Sequence, residues 1–520
     1  MVARTKRGSG SRPRPENDAP AAAEAPAGRD ALSRALDVAL LALALGCLVA
    51  LWREAAPAWL ASDECFHAYL AEWIAAHASL PRTLPEFYSG LPYFYPPLLH
   101  LIGAAVVQLA GVHALRYLNV VLSGLLFLSL YAIPVPGLSR GARRCALLLC
   151  LASRSLALFA VRFYAETLAT LLAAVVVLLL LRARTRPGFG NALLLGLAVG
   201  AALLAKQPAG VLPVLLALLA GIDLVRGRRD TARSMGIALA ASLVVAIPYF
   251  VRNAMLFGGP SYPPIATPAQ ATLDAMNTRL FSLPAPMFYR NSLGFMGPLV
   301  PWLALLALGY RVVRGRFDLV TGLLAATFAF ILLAPWVPRF QPRHLNPVTA
   351  IQAVLGSIVL VEALAKHPRL LLAVQALLLV WGVVFVVRLG GLRTGVDATP
   401  EDREMYRAIA AQVPPEALVL SRATYDTWYY ARRPATWPIP WGETAGQLEL
   451  FTTRDPGAFL AAMDREKVGW LVVPRSGTGP SFTGVNYPQS FVDCVATLVG
   501  NGRLAMRWRS DRMALVTRSQ

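Results

Sequence analysis

The sequence is poor in charge, and poorest in negative charge. Only 15% of its 520 residues are charged, and 29 acidic residues stand against 49 basic ones. The five cysteines show no CxxC or other metal-type spacing, and the run from Asp63 to His67 lacks the first histidine of an HExxH motif. These absences argue against a soluble enzyme, a disulfide framework, a zinc site and a zinc protease.

What the chain has instead is apolar sequence. Hydrophobic residues make up 56% of it, and the mean hydropathy is +0.52, which is typical of polytopic membrane proteins. A formal net charge of +20 would suggest nucleic acid in a soluble protein, but here the basic residues sit between apolar segments and indicate topology. We therefore expect membrane lipids, and no nucleic acid, as partners. The basic breaks lie at 140–144, 182–186, 226–233, 311–316 and 366–369.

These basic breaks should all be cytoplasmic, and this requirement orients the chain. The apolar run from Leu98 to Gly111 is short for a span, which needs about 20 residues, so we predict an interfacial or re-entrant helix there. The result is about eleven transmembrane helices with the N-terminus inside and the C-terminus outside. The predicted spans are 35–52, 117–133, 145–162, 164–182, 191–206, 209–225, 234–251, 297–313, 318–336, 347–365 and 369–388.

The predicted fold class is an all-α polytopic membrane protein with a small C-terminal α/β domain outside the cytoplasm. We expect a disordered basic cytoplasmic tail over 1–34, a transmembrane domain over 35–390 and the α/β domain over 391–520. Within the transmembrane domain, 53–116 should form the first extracytoplasmic loop with juxtamembrane helices. Short β-rich runs at 417–421, 470–473, 504–509 and 513–517 surround a helical candidate at 456–466.

The first loop contains the candidate active-site stretch, from Trp59 to His100. Ser62 is a plausible N-cap, with Asp63 and Glu64 in the first turn of an amphipathic helix along the membrane surface. A structural interpretation is also open, because acidic residues in a first turn complement the helix dipole and aromatic residues belong at membrane interfaces.

Several motifs occur in an order that resembles the GT-C superfamily of integral-membrane glycosyltransferases. They are the Asp63-Glu64 pair, YPPLLHLIGA, RFYAET, LLAKQPAG, PYFVRNAMLFGGPSYP and PRHLNPVTAI. The most similar groups are protein O-mannosyltransferases and the bacterial lipid A aminoarabinose and lipopolysaccharide-core sugar transferases. The resemblance covers roughly residues 35 to 350.

The resemblance implies transfer of a sugar from a polyprenyl-phosphate donor to a hydroxyl by single displacement, with inversion. Such a reaction needs a carboxylate base and cations at the departing phosphate. By family likeness Asp63 is the base and Glu64 orients it or binds sugar hydroxyls, although the sequence does not decide which of the two is the base. Glu166 matches the second acidic position of the family; an ion pair with Arg162 is the structural alternative.

Basic residues at predicted outer boundaries are candidates for binding the donor phosphate or sugar. For Lys206 and Arg252 the alternative is snorkelling to the interface, and for Arg82 it is a surface role. Arg343 offers a planar fork suited to phosphate, and His344 follows it where relatives have tyrosine.

No cofactor is predicted. Asp63, Glu64, His67 and Glu166 have the ligand chemistry for a divalent cation, but the resemblance implies no strict metal requirement, so we predict no metal. The expected partners are a polyprenyl-phosphate sugar and a lipid, polysaccharide or protein acceptor, with the active site outside the plasma (inner) membrane. Three rivals stay open: an oligosaccharyltransferase with a pyrophosphate-linked donor, a lipid or polysaccharide transporter, and a non-catalytic assembly protein whose outer domain binds partners. The sequence names neither the sugar nor the acceptor.

Overall fold

The computed structural model describes residues 27–56, 60, 63–259, 285–336, 341–390, 399–438, 443–475, 482 and 487–519. Most of the predicted tail, 1–26, lies outside these residues, whereas 27–34 form the start of the first helix. The helices of the membrane region are α1 (Ala27–Ala55), α2 (Asp63–His77), α3 (Leu98–Ala110), α4 (Leu115–Ala132), α5 (Arg140–Leu151), α6 (Arg154–Ala160), α7 (Ala165–Thr185), α8 (Phe189–Ala205), α9 (Val211–Val225), α10 (Arg229–Phe257), α11 (Ala285–Met296), α12 (Leu299–Val313), α13 (Leu319–Leu333), α14 (Asn346–Ala363) and α15 (Pro368–Val387).

The described helices form a multi-span membrane protein, as predicted. Eight are long and apolar enough to cross a membrane, or nine if α11 and α12, which meet at 102°, are one broken span. The predicted count of eleven is higher because 145–162 is divided between α5 and α6, and because 191–206 corresponds to α8, which has only 17 residues. The number eleven therefore stays a prediction.

The short apolar run after the first loop forms α3, a helix of 13 residues that packs against α2. A helix of this length extends about 20 Å, which is less than the hydrocarbon core of a bilayer. It lies very close to the turn before α7: a Cβ atom on Gly103 would be 2.7 Å from Cζ of Phe163. The glycine thus permits the first loop to contact the RFYAET turn.

The two most buried long helices, α7 and α14, run through the centre of the bundle in the same sense. At their C-terminal ends, Arg184 of α7 pairs with Asp223 of α9, and Glu362 of α14 pairs with Arg311 of α12. Their N-terminal ends lie on the opposite side, where Glu166 begins α7 and the 3₁₀ turn Pro342–Leu345 leads into α14. This shared direction brings both helix starts to one end of the molecule.

The C-terminal region folds around a five-stranded mixed sheet in the order β4-β3-β5-β7-β6. Strands β4, β3 and β5 are parallel, whereas β5, β7 and β6 are antiparallel, and the predicted strands and helix are all present. Its elements are α16 (Pro400–Gln412), β3 (Leu418–Leu420), α17 (Thr424–Ala431), β4 (Ala435–Thr436), α18 (Glu449–Thr452), α19 (Pro456–Arg465), β5 (Val468–Pro474), α20 (Gln489–Gly500), β6 (Leu504–Arg509) and β7 (Met513–Arg518). A separate two-stranded hairpin, β1 (Thr83–Leu84) with β2 (Leu91–Pro92), belongs to the first loop.

This C-terminal sheet region contacts the first loop directly. The Tyr88 N–H donates to the Ala435 carbonyl at 2.9 Å, and the Ala435 N–H donates to the Glu86 carbonyl at 3.0 Å. The expectation that the apolar face of α2 lies on the membrane surface is corrected for its aromatic residues, which contact protein: the Phe66 ring centroid is 4.7 Å from that of Tyr425 in α17.

Candidate active site

Four segments converge where α7 and α14 begin. The first turn of α2 supplies Asp63, the first turn of α7 supplies Glu166, the junction between α8 and α9 supplies Lys206, and the turn before α14 supplies Arg343. The structure thus brings together residues that are far apart in the chain. The predicted N-cap, Ser62, lies outside the described residues.

Arg343 is the centre of this group. Its Nη1 atom lies 2.8 Å from Oδ2 of Asp63, and its Nε atom lies 3.5 Å from Oε1 of Glu166. The guanidinium carbon is 5.5 Å from the centroid of the Tyr164 ring, within the range of a cation–π contact. One planar cation therefore bridges two carboxylates while an aromatic face supports it.

Glu166 has a second cationic partner, Lys206. The Lys206 Nζ donates to Glu166 Oε1 at 2.7 Å, and the carboxylate is almost fully buried. The alternative of an ion pair between Glu166 and Arg162 is not what the structure shows. A buried carboxylate between two cations holds them in place electrostatically.

The two adjacent acidic residues of α2 have different environments. Glu64 has only 1% of its side chain exposed and forms a two-pronged ion pair with Arg116, with N–O distances of 3.0 and 2.8 Å. It also accepts the Phe163 N–H at 3.0 Å. Asp63 has 29% of its side chain exposed and faces Arg343. Because a base must reach its substrate, Asp63 meets that requirement and Glu64 does not.

The electrostatics keep Asp63 ionised. Burial alone would raise the pKa of its carboxyl, but the positive charges of Arg343 and Lys206 outweigh burial and place the pKa below the ordinary 3.8. The carboxylate is therefore present throughout the neutral pH range.

Two of the sequence-predicted cations lie elsewhere. Arg252 donates to the Pro81 carbonyl at 2.6 Å and to the Tyr93 carbonyl at 3.3 Å, so it fastens the first loop to α10 instead of joining the charged group. Arg82 has an exposed side chain, and its backbone carbonyl accepts the Tyr93 N–H at 3.0 Å within the first loop. The expectation that these two bind the donor phosphate or sugar has no support from their contacts.

An apolar cavity opens beside the charged group. Lys206, Thr327 and His344 are its polar lining residues, and helices α7, α9, α13 and α14 supply apolar side chains. Representative lining residues are Ala173, Val176, Leu215 and Phe330. The His344 ring caps its own turn, since its Nδ1 accepts the Gln341 N–H at 3.3 Å. Together these residues form a long apolar space that ends in positive charge.

The structure adds three residues that the sequence interpretation did not assign to the site: Arg116, Tyr164 and His100. Arg116 binds Glu64, Tyr164 lies under Arg343, and His100 contacts His67 with 2.8 Å between the ring nitrogens. A signal existed for Arg116, because an arginine at the outer start of a predicted span is unusual under the positive-inside rule. Across the part of the chain that is described, no three His, Cys, Asp or Glu side chains are grouped so as to hold a metal ion.

Comparison with solved structures identifies the fold. The chain is similar to ArnT from Cupriavidus metallidurans bound to undecaprenyl phosphate, with a TM-score of 0.62 and 15% identity over 92% of this chain and 97% of that one. It is also similar to the oligosaccharyltransferase AglB from Archaeoglobus fulgidus in complex with an inhibitory peptide and a dolichol-phosphate, with a TM-score of 0.62 and 12% identity over 84% of this chain and 69% of that one. No protein-family profile and no curated protein sequence matches the chain. The predicted GT-C fold is confirmed.

Proposed function

We propose that this protein is an inverting glycosyltransferase that transfers a sugar from a polyprenyl-phosphate donor to a hydroxyl acceptor outside the cytoplasm. The observation that carries the proposal is the contact between Arg343 and Asp63. It places a cation suited to phosphate beside a solvent-accessible carboxylate suited to deprotonating a hydroxyl.

The charges support an in-line displacement. The acceptor oxygen forms a bond to the anomeric carbon while Asp63 takes its proton, and the bond from that carbon to the phosphate oxygen breaks. The electron pair leaves with the phosphate, where Arg343 and Lys206 neutralise the developing charge. Glu166 keeps both cations in place, and Glu64, held by Arg116, positions the first turn of α2 as the orienting alternative predicts.

The cavity supports a prenyl donor. Its apolar walls suit an isoprenoid chain. Lys206 and His344 lie where the phosphate at the end of that chain would bind. The similar ArnT structure contains undecaprenyl phosphate, which is the class of carrier that this geometry suits.

The charge distribution supports an extracytoplasmic site. The ion pairs of Arg184 and Arg311 lie at the ends of α7 and α14 that are opposite the site, and basic residues favour the cytoplasmic face. On this orientation the site and the C-terminal domain, predicted over 391–520, face outward from the plasma (inner) membrane. The first extracytoplasmic loop, predicted over 53–116, then joins them.

An oligosaccharyltransferase is the second candidate, because AglB is similar with the same TM-score as ArnT. The two functions differ in the donor, which is a pyrophosphate-linked oligosaccharide in the rival. They also differ in metal dependence. The experiment that distinguishes them is therefore one that identifies the donor.

The deciding experiment incubates the purified protein in lipid vesicles with a panel of radiolabelled polyprenyl-monophosphate sugars. Wild type should release or transfer sugar from one donor, and Asp63→Asn should not. Asp493→Asn, at an exposed residue of α20, is the matched control and should behave as wild type. If folded wild type consumes only pyrophosphate-linked donors, or none, the monophosphate proposal is wrong.

A further inference from the structure

A chain of three buried or half-buried side chains leads away from the charged group. His67 Nδ1 lies 2.8 Å from His100 Nε2, and His100 Nδ1 lies 2.9 Å from the Tyr93 hydroxyl. Tyr93 and His100 are buried, whereas His67 is half-buried at the edge of the site. Neither the proposed base nor the proposed phosphate cations require these residues, so their arrangement needs a separate explanation.

The positions of the hydrogens along this series of side chains are fixed by the Tyr93 hydroxyl. A buried hydroxyl must donate its hydrogen, and among the described residues His100 Nδ1 is the only acceptor within hydrogen-bond distance of it. His100 must then carry its hydrogen on Nε2, which donates to His67 Nδ1. A neutral His67 accepts at Nδ1 and therefore carries its own hydrogen on Nε2. Tyr93 thus selects the tautomer of both histidines.

The His67 ring is neutral and faces the charged group. Burial lowers its pKa to about 4, even though Asp63 and Glu166 raise it, while Arg343 and Lys206 lower it further. The same ring lies 5.9 Å between centroids from Tyr164, the residue under Arg343. Asp63 precedes His67 by one helical turn on α2, so the two share a face.

We propose that His67 is a positioning residue for Asp63, presenting a neutral Nε2–H to its carboxylate in a tautomer that Tyr93 imposes through His100. This inference rests on the proposed function, in which Asp63 is the base. Arg343 binds one carboxylate oxygen, Oδ2, which leaves Oδ1 to accept the proposed hydrogen bond from Nε2–H of His67. When the donor phosphate binds Arg343, the neutral hydrogen bond still orients the base, and it lowers the basicity of Asp63 less than a second cation would.

The tautomers are measurable without any substrate, by solid-state NMR of the protein labelled with ¹⁵N-histidine in bilayers. At pH 7 both His67 and His100 should be neutral with Nδ1 unprotonated. His77 is an internal reference of the opposite tautomer, because its Nδ1 lies 2.8 Å from the Trp73 carbonyl and must donate to it. Tyr93→Phe removes the donor to His100 Nδ1, so His100 should no longer be held in the tautomer with Nδ1 unprotonated. A protonated Nδ1 or a charged ring at His67 in wild type would overturn the proposal.

Kinetics then test the role. His67→Leu should lower kcat about 10-fold to 100-fold with little change in the KM of the donor, as the loss of a residue that orients a reacting group does. His67→Gln, which keeps an N–H near the Nε2 position, should restore part of the loss, and His77→Leu should have no effect. If Asp63→Asn is inactive while His67→Leu equals wild type, the positioning role is wrong and the proposed function stands. If Asp63→Asn is fully active, both fail.

Discussion

Arg343 contacts Asp63 with 2.8 Å between Nη1 and Oδ2, and it is the one side chain that connects this carboxylate to Glu166 within the described residues. In the proposed reaction Asp63 serves the acceptor, whereas Glu166 and Lys206 serve the phosphate side. The guanidinium therefore joins the two halves of the site. A donor phosphate that binds Arg343 competes with the Asp63 carboxylate for the guanidinium. Donor binding is therefore coupled to the protonation state of the proposed base.

The first prediction concerns pH. Arg343 is the main opposing charge that lowers the pKa of Asp63, while burial raises it. The active form of a base is the carboxylate, so a lowered pKa extends activity to lower pH. Arg343→Gln should move the acid limb of the kcat profile to higher pH, whereas Arg343→Lys should move it less, because it keeps the charge. An acid limb at the same pH in both variants and wild type would contradict this coupling.

The second prediction separates the adjacent acidic residues Asp63 and Glu64. Glu64→Gln breaks the buried ion pair with Arg116, and breaking a buried ion pair typically costs about 3–5 kcal/mol of unfolding free energy. Asp63→Asn should leave the unfolding free energy within about 1 kcal/mol of wild type but abolish transfer. Thermal unfolding in detergent and the transfer assay distinguish the two. A stable, active Glu64→Gln protein would show that the Arg116 pair is dispensable.

The third prediction concerns Lys206. Loss of a hydrogen bond to a charged group costs about 1.5–3 kcal/mol, or roughly 10-fold to 150-fold in affinity. Lys206→Gln should therefore weaken the binding of undecaprenyl phosphate to the purified protein by this factor, measured by titration. Lys366→Gln, at an exposed residue beyond α14, is the control and should bind as wild type. Equal affinity for all three proteins would remove Lys206 from the phosphate site.

The sequence predicted the parts of this site that depend on order along the chain. Hydropathy and the basic breaks indicated a multi-span protein, and the motif order indicated the fold. The convergence of Asp63, Glu166, Lys206 and Arg343 follows because each lies at a span boundary on the same predicted side. Boundaries on one face of a membrane lie near a common plane, which limits where their side chains can go.

Other features depend on packing and have no linear signal. Arg252 occupies an outer boundary like Lys206, but carbonyls of the first loop are its partners because α10 passes beside that loop. Glu64 and Asp63 are neighbours in sequence, yet the rotation of α2 turns one toward Arg116 and the other toward Arg343. The docking of α17 on α2 is likewise invisible in the sequence, since aromatic residues suit a membrane interface equally well.

The fourth prediction tests the apolar cavity with a matched pair on α13. Ala326 lines the cavity, and its neighbour Ala325 is exposed and does not. Ala326→Phe should raise the KM for an undecaprenyl-phosphate sugar roughly tenfold or more, because each displaced methylene contributes about 0.8 kcal/mol of burial. A donor with only two isoprene units should be unaffected, and Ala325→Phe should change neither donor. If Ala326→Phe changes the KM of neither the long nor the short donor, the cavity does not hold the prenyl chain.

The last prediction concerns the link between the C-terminal sheet and the first loop. The Ala435 N–H donates to the Glu86 carbonyl, while the strand pairing of β4 with β3 uses the Pro434 and Thr436 carbonyls instead. Ala435→Pro removes this donor and leaves those carbonyls available to β3.

With its link to β4 weakened, the turn that contains Phe87 and Tyr88 should exchange its amide hydrogens faster, by roughly tenfold for each 1.4 kcal/mol lost. Hydrogen–deuterium exchange of the peptide covering 84–92 measures this directly, and peptides of β6 and β7 serve as the internal control. Because this loop continues into Tyr93, whose hydroxyl orients His100, sugar transfer should fall together with protection. Loss of protection at 84–92 with unchanged transfer would show that the C-terminal region does not support the active-site loop.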